Sequence, residues 1–416
     1  MKRTITSGLL AFLLLPALDA AETRIWTSRK GSTIEAELLR FDETNATLLA
    51  AGNKQIVLPM ADLSIADRQF MVENVGADAK ILVSGEIGEP EKQVKIDSST
   101  FKKLKESNLI FGTDSESAYE LMESEHFLIA TAGGVRPQAI AETAERMWHG
   151  MAFQHMNFRR DWGDKRMLIL LVEDREAYTA LGKWWTGLLK EKGNTEGAAN
   201  VSAAWDRVGS TMVTLPDEMA DKHKVFPAVR VFNVKEDTLF KKPMGSFLVF
   251  SMAGVLLDRQ LGNISSYGVE GLFAVNTGHS YYKEISLTGK SETSLLSAAG
   301  TGEAEVKEKK GFGDASDWAK TLRGLVKKGE IKCEVAPMFK VKNEDVTPEQ
   351  LALMYSFSAY MESTPARLAC YASMVRRIES SKQIPVPEEI AKIFGFETVA
   401  ALEADWKLFV TEGKFK

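Results

Sequence analysis

The chain is poor in the residues that bind metals and form cross-links. Its 416 residues include only two cysteines (Cys333, Cys370) and five histidines (His126, His149, His155, His223, His279). Those counts exclude zinc fingers, iron–sulfur clusters and disulfide-dense scaffolds. A large excess of one charge is also missing: 52 Lys+Arg stand against 57 Asp+Glu, for a formal net charge of −5 and a sequence pI near 5.8. That balance carries no electrostatic footprint for nucleic acid, and none is expected as a partner. Long apolar runs are scarce, the nearest being 247–257, short of the ~18 residues a membrane-spanning helix needs. No transmembrane segment is expected in the mature chain. Phosphate and nucleophile motifs fail as well. Gly289-Lys290-Ser291 has Glu284 where a P-loop requires glycine, and Gly300-x-Gly302 is followed by Glu305. There is no Gly-x-Ser-x-Gly elbow.

What is present is ordinary globular material, 44% hydrophobic and 26% charged, enough for more than one core. Residues 1–20 pair Lys2-Arg3 with an apolar run over 9–15 and a small-residue exit at Ala20. This is the pattern of a secretory signal peptide, and the mature protein is expected in the periplasm or outside the cell. In an oxidising compartment Cys333 and Cys370 could pair; the sequence leaves that open.

Residues 23–73 break into short β-like runs punctuated by Gly, Asn and Asp turns, which predicts a small twisted barrel. Arg24-x-Trp26-Thr27, Gly31, Ile34-Glu35-Ala36, Ile56-x-Leu58-Pro59 and Leu63-Ser64-x-x-Asp67-Arg68 resemble the SLA homology domain, an SH3-like barrel. The resemblance implies an interaction module, with Trp26 as a candidate for its binding surface. A polar stretch over 74–116, centred on Gly85-Glu86-Ile87-Gly88, reads as a linker.

The region 117–416 opens as strand, helix, strand. Glu125-His126-Phe127-Leu128-Ile129-Ala130 alternates, and Ile140, Ala144, Met147 and Met151 recur at helical spacing. The run 166–172 is continuously apolar after its first residue. Residues 246–261 are apolar on nearly every side and predict a central buried helix. The pattern from Trp318 onward is helical. The expected class is α+β: a small SH3-like barrel, then an α+β domain with a helical C-terminal part. His126, His149 and His155 read as packed side chains of the strand and helix. Trp184-Trp185 and Trp205 fit a ligand groove or a packed loop equally well.

In order along the chain, Ser124-Glu125-His126-Phe127, then 168–172 with Asp174-Arg175-Glu176-Ala177-Tyr178, Tyr267-Gly268-Val269-Glu270-Gly271-Leu272-Phe273-Ala274, and Phe394-Gly395 with Asp405-Trp406 resemble the gluzincin-like peptidases of bacteria. The resemblance implies a zincin-like fold with a His-Glu-x-x-His helix and a glutamate as third metal ligand. Aligned so, Ser251 and Val255 stand at the two imidazole positions, Met252 at the general-base position, and Glu270 at the third ligand. A hydroxyl is a poor zinc ligand, valine is none, and methionine cannot act as a base. No two histidines in the chain are four residues apart. The expectation is therefore an exported non-catalytic binding or scaffold protein with no zinc or other cofactor. In it, a peptidase-like cleft around Ser251, Val255, Tyr267, Glu270 and His279 docks a peptide or protein partner in the cell envelope. The alternative is an active exported hydrolase or metallopeptidase built on Glu270 with His279 or the Ser251 hydroxyl. A third is an envelope structural protein that binds no ligand tightly.

Overall fold

The computed structural model describes residues 23–28, 32–78, 81, 95–104, 109, 111, 119–154, 162–207, 210–233, 245–289, 291, 318–343, 346–412 and 415. The expected signal peptide of 1–20, His155, the Gly300-x-Gly302 loop and much of the expected linker lie outside them. The chain divides into two compact units, 1–85 and 86–416.

In the first unit, β1 (Arg24–Thr27), β2 (Thr33–Phe41), β3 (Asn45–Ala50) and β4 (Lys54–Pro59) pair in sequence order as an antiparallel meander, followed by α1 (Ile65–Asn74). The expected barrel is corrected to an open sheet, with β1 and β4 as its two edges among the described residues. The inner face packs with side chains of α1 and the segment around it: Trp26, Ala36, Leu38, Ala46 and Leu48 share a core with Met60, Leu63 and Met71. A helix thus takes the place of a closing strand in covering that face. The buried Asp67 carboxylate ties helix to sheet. It accepts from Arg24 Nη2 at 2.7 Å, from the Thr27 amide at 2.6 Å and from Ser64 Oγ at 2.9 Å. Ser64 in turn caps α1 by accepting from the Asp67 amide at 3.1 Å.

Trp26 is a core residue and not part of a surface. It is 1% exposed, and its indole Nε1 donates to the Ala36 carbonyl at 3.0 Å. A strand of four residues shows its alternation but not which of its two faces is covered.

The second unit contains β5 (Lys102–Leu104), β6 (Glu120–Glu123), β7 (Phe127–Ala132), α2 (Pro137–Gln154), β8 (Met167–Val172), α3 (Arg175–Glu191), α4 (Thr195–Ala204), β9 (Ser210–Thr214), α5 (Asp217–Lys222) and β10 (Ala228–Asn233). Helices then follow: α6 (Ser246–Gln260), α7 (Leu272–Thr288), α8 (Trp318–Lys328), α9 (Val335–Phe339), α10 (Pro348–Met361), α11 (Pro365–Ser381), α12 (Pro387–Ile393) and α13 (Val399–Thr411). The sheet order is β5-β6-β7-β8-β10-β9. Its centre, β7, β8 and β10, is parallel, while β5, β6 and β9 run antiparallel to their neighbours.

β5 falls inside the stretch expected to be linker, and the second unit therefore starts before residue 117. A three-residue edge strand with two exposed lysines has the composition of a loop.

Both sheet faces are covered. Phe127, Ile129, Met167, Ile169, Leu171 and Phe232 point into the larger core with α2, α6 and the C-terminal helices. Leu128, Ala130, Leu168, Leu170, Val229 and Val231 point the other way, toward Tyr178, Leu181 and Trp205. That two-sided burial is why 167–172 is apolar without alternation. Trp205 is a packed residue, stacked on Tyr178 at 4.9 Å with its Nε1 donating to the Tyr178 carbonyl at 2.8 Å. The aromatic pair Trp184 and Trp185 is half-buried against the same core. α6 is buried on most sides, as its composition requires, and α7 packs against both α6 and α10. No disulfide joins Cys333 and Cys370. Among the described residues no helix is long and apolar enough to cross a membrane.

Candidate functional site: a cavity beside the edge strand

A cavity of about 480 Å³ opens where the β10–β9 end of the sheet meets α6 and α7. Its floor comes from α6, whose Ser251 and Val255 are four residues apart and line the same space, as helical geometry requires of i and i+4. The sheet contributes Met212 of β9 and Arg230 of β10, which are register partners. The turn into α7 adds Val269, and α7 adds Leu272, Phe273 and Asn276.

Arg230 is the unusual group. Along β10 it shares a face with Ala228 and Phe232, the face that elsewhere carries the apolar core, while Val229 and Val231 point into the other core. Its Nη2 donates to Ser251 Oγ at 3.3 Å. Burial pulls the guanidinium down to about 10, still protonated at neutral pH. Arg259 also lines the cavity, with its guanidinium 3.3 Å from the centre of the Phe226 ring and 5.0 Å from that of Trp162. The third ionisable lining group, Asp258, accepts from the Ser265 amide at 2.9 Å and the Ser265 hydroxyl at 2.6 Å. On the α7 side, Asn276 Oδ1 is buried and accepts no hydrogen bond. Gly254 of α6 makes room for it: a Cβ there would sit 2.9 Å from Asn276 Oδ1 and 3.0 Å from Ser280 Oγ.

The residues singled out from sequence divide between the cavity and other places. Ser251 and Val255 come together on it. Met252 does not line it; the side chain is fully buried in the larger core. Glu270 is exposed and is not among the lining residues. Gly271 beside it has φ +82, and a Cβ there would press on Phe339 at 3.1 Å, so glycine serves the turn rather than a ligand. His279 is buried away from the cavity, with Nδ1 3.4 Å from Glu362 Oε1 and 3.5 Å from the Tyr371 hydroxyl. The Glu270–His279 pairing on which the alternative reading rests does not occur among the described contacts. The Tyr267 side chain lies outside the described residues.

These donors do not fit a zinc site. Ser251 and Val255 supply no imidazole, Glu270 points elsewhere, and a guanidinium sits on the Ser251 hydroxyl. Among the described residues no group of three or more His, Cys, Asp or Glu could hold a metal ion.

A second polar cluster supports the fold. His126 precedes β7 instead of belonging to it. Its ring stacks on Trp148 at 3.7 Å, its Nδ1 lies 2.7 Å from Glu145 Oε2, and its amide donates to Glu145 Oε1 at 2.8 Å. Burial pushes the Glu145 carboxyl up, yet hydrogen bonds from the His126 ring, Ser124 and the His126 amide outweigh it and leave the carboxyl below its ordinary value. A carboxyl depressed by folding adds stability above its unfolded pKa and loses it as pH falls through the folded pKa. Glu145→Ala should therefore cost about 3 kcal/mol at pH 7, because it strands a buried amide and ring nitrogen. The deficit should shrink as the pH is lowered past the ordinary glutamate range, where the wild-type carboxylate is itself being protonated. Urea unfolding of both proteins at pH 7 and over a falling acid series checks this, and a deficit that stays constant through the series would contradict it.

Comparison of the chain with protein families, with curated proteins and with solved structures returned no match. Arg230 and Asn276 were not evident as site residues from sequence. The one local signal is an arginine on an otherwise apolar face of a strand, between Ala228 and Phe232.

Proposed function

We propose that this is an exported, non-catalytic binding protein whose second unit is a gluzincin-like pseudo-peptidase, with a cleft that docks an extended peptide. The first unit, an open four-stranded sheet covered by one helix, is read as an interaction module, the role its sequence resemblance implies. One observation carries the reading: the two helix positions that would bear zinc-binding imidazoles, Ser251 and Val255, share one cavity, and Arg230 bonds to the first of them. A dication ~4 Å from a guanidinium is opposed by on the order of 8 kcal/mol at an effective dielectric of ~20. β9 supports a peptide occupant because it is an edge strand, with β10 as its only partner among the described strands. Its Met212 is 46% exposed at the mouth of the cavity. An extended peptide can continue the sheet there through main-chain hydrogen bonds.

Val255→Trp tests the reading by filling the space beside that edge. Binding of extended peptides, followed by fluorescence anisotropy, should fall at least tenfold while the melting temperature stays within a few degrees. Purified protein should retain no stoichiometric zinc and should leave the peptides uncleaved. Stoichiometric zinc, or hydrolysis that disappears with Glu270→Gln, would establish the hydrolase instead.

A further inference from the structure

The charged groups that line the cavity are each engaged within the protein. Arg230 donates to Ser251, Asp258 accepts twice from Ser265, the Arg259 guanidinium lies over the Phe226 ring, and both arginines make further interactions. The lining surface left accessible is mostly apolar, and Phe250, Val255, Val269 and Phe273 on it are only half-buried. Covering such surface drives association. The position of β9 decides which part of an occupant would cover it. Met212 and its register partner Arg230 both line the cavity, so that face of the β9–β10 ladder looks onto it. Val213, one residue on, points into the smaller core on the opposite face. A strand added beside β9 alternates in the same way. Its residue opposite Met212 stands ~5 Å away, Cβ to Cβ, and points to the cavity side. The residues flanking it point to the other face. Thr214 shares the face of Met212 but does not line the cavity, so the position opposite Met212 has the space behind it and the one opposite Thr214 does not.

We propose that the strand-adding peptide is recognised through a single bulky apolar residue, phenylalanine or leucine, which pairs with Met212 and places its side chain in the cavity among Val255, Val269 and Phe273. This rests on the peptide-docking reading above and deepens it, because main-chain hydrogen bonds supply affinity while side-chain pockets supply the sequence preference. The apolar side chain covers Met212, 46% exposed, together with the open wall. A charged residue at the same position would lose its hydration against that wall, with Arg230 and Asp258 already engaged elsewhere.

The test uses the full mature chain and four fluorescein-labelled heptapeptides of alternating threonine and glutamine, amidated at the C-terminus, that differ only in a central phenylalanine, leucine, alanine or aspartate. Anisotropy titrations should show the phenylalanine and leucine peptides binding at least tenfold more tightly than the alanine peptide, with aspartate no tighter than alanine. Met212→Lys, a change at a half-exposed position, should reduce that preference below threefold. Methylating the backbone nitrogens along one edge of the phenylalanine peptide should abolish binding, and along the other edge should leave it within twofold. Equal binding of all four peptides would overturn the single-residue anchor while leaving the docking reading intact. Tightest binding of the aspartate peptide would overturn it in favour of recognition by charge. Insensitivity to methylation along both edges would overturn the pairing with Met212. No binding of any of the four, together with no binding of longer extended peptides, would overturn the docking reading as well. The four-peptide comparison is made on the wild-type chain, so its outcome does not depend on a variant folding.

Discussion

Gly278→Ala should destabilise the second unit by about 3 kcal/mol, although alanine is the better helix former by about 1 kcal/mol. Gly278 lies on the side of α7 that meets α10. A Cβ there would stand 2.3 Å from the Met354 carbonyl oxygen, 2.8 Å from its carbon and 2.7 Å from Ser358 Oγ. The serine hydroxyl can rotate away, but a helix carbonyl moves only with its helix. Relief therefore requires α7 and α10 to separate, which loosens a core shared with Tyr281, Phe357 and Tyr360. Gly254→Ala provides the contrast. Its close neighbours are the ends of two side chains, Asn276 Oδ1 and Ser280 Oγ, which can turn aside. The gain in helix propensity should then leave its unfolding midpoint within about 0.5 kcal/mol of wild type. Urea midpoints of the two variants measured side by side separate a backbone clash from a side-chain one. Equal midpoints would mean that α7 and α10 are not as close as described.

Trp26→Ala should unfold the first unit. Removing a buried tryptophan costs about 4 kcal/mol, and a unit built on a four-stranded sheet and one helix has little more stability than that to lose. The loss has three parts. The indole fills the centre of the small core, its Nε1 donates to the Ala36 carbonyl, and its ring meets Phe70 edge-on at 6.1 Å, with the Arg24 guanidinium 4.7 Å from its centre. That guanidinium is itself held by Asp67, so the cavity would also weaken the link between β1 and α1. Hydrogen exchange on the intact chain reads the result locally: amides of β2, β3 and β4 should lose most of their protection. A surface tryptophan would leave those amides protected, and that outcome would return Trp26 to the list of binding residues.

Much of the architecture was legible because it rests on short-range patterns. The apolar run 167–172 is best read as a buried strand, and it is one covered on both faces. The all-round apolar character of 246–261 reads as a buried helix; that Ser64 caps α1 and that Asp67 also reaches β1 came from the structure. The candidate site was half legible. The i, i+4 relation of Ser251 and Val255 follows from the helix alone, and the cavity lies on the side they face. The remainder depended on pairing between distant segments. Lys102–Leu104 has the composition of a linker and becomes a strand only because β6 offers its edge. Glu270 and His279 sit on opposite sides of a turn whose direction is set by Gly271. One side chain ends up exposed and the other in the interior beside Glu362 and Tyr371.

The sequence by itself determined one feature this chain lacks. Five histidines, none four residues from another, and two cysteines leave no imidazole pair for a helix to offer a metal. That conclusion needs only counting and the helical repeat. Only the tertiary structure decided what stands at those positions instead. Arg230 is 21 residues before Ser251, on a strand whose register against β8 and β9 turns it toward α6. Asn276 meets Gly254 from a different helix. Arg230 and Asn276 line one cavity because sheet order and helix packing bring those segments together, and neither is encoded in any local run of residues.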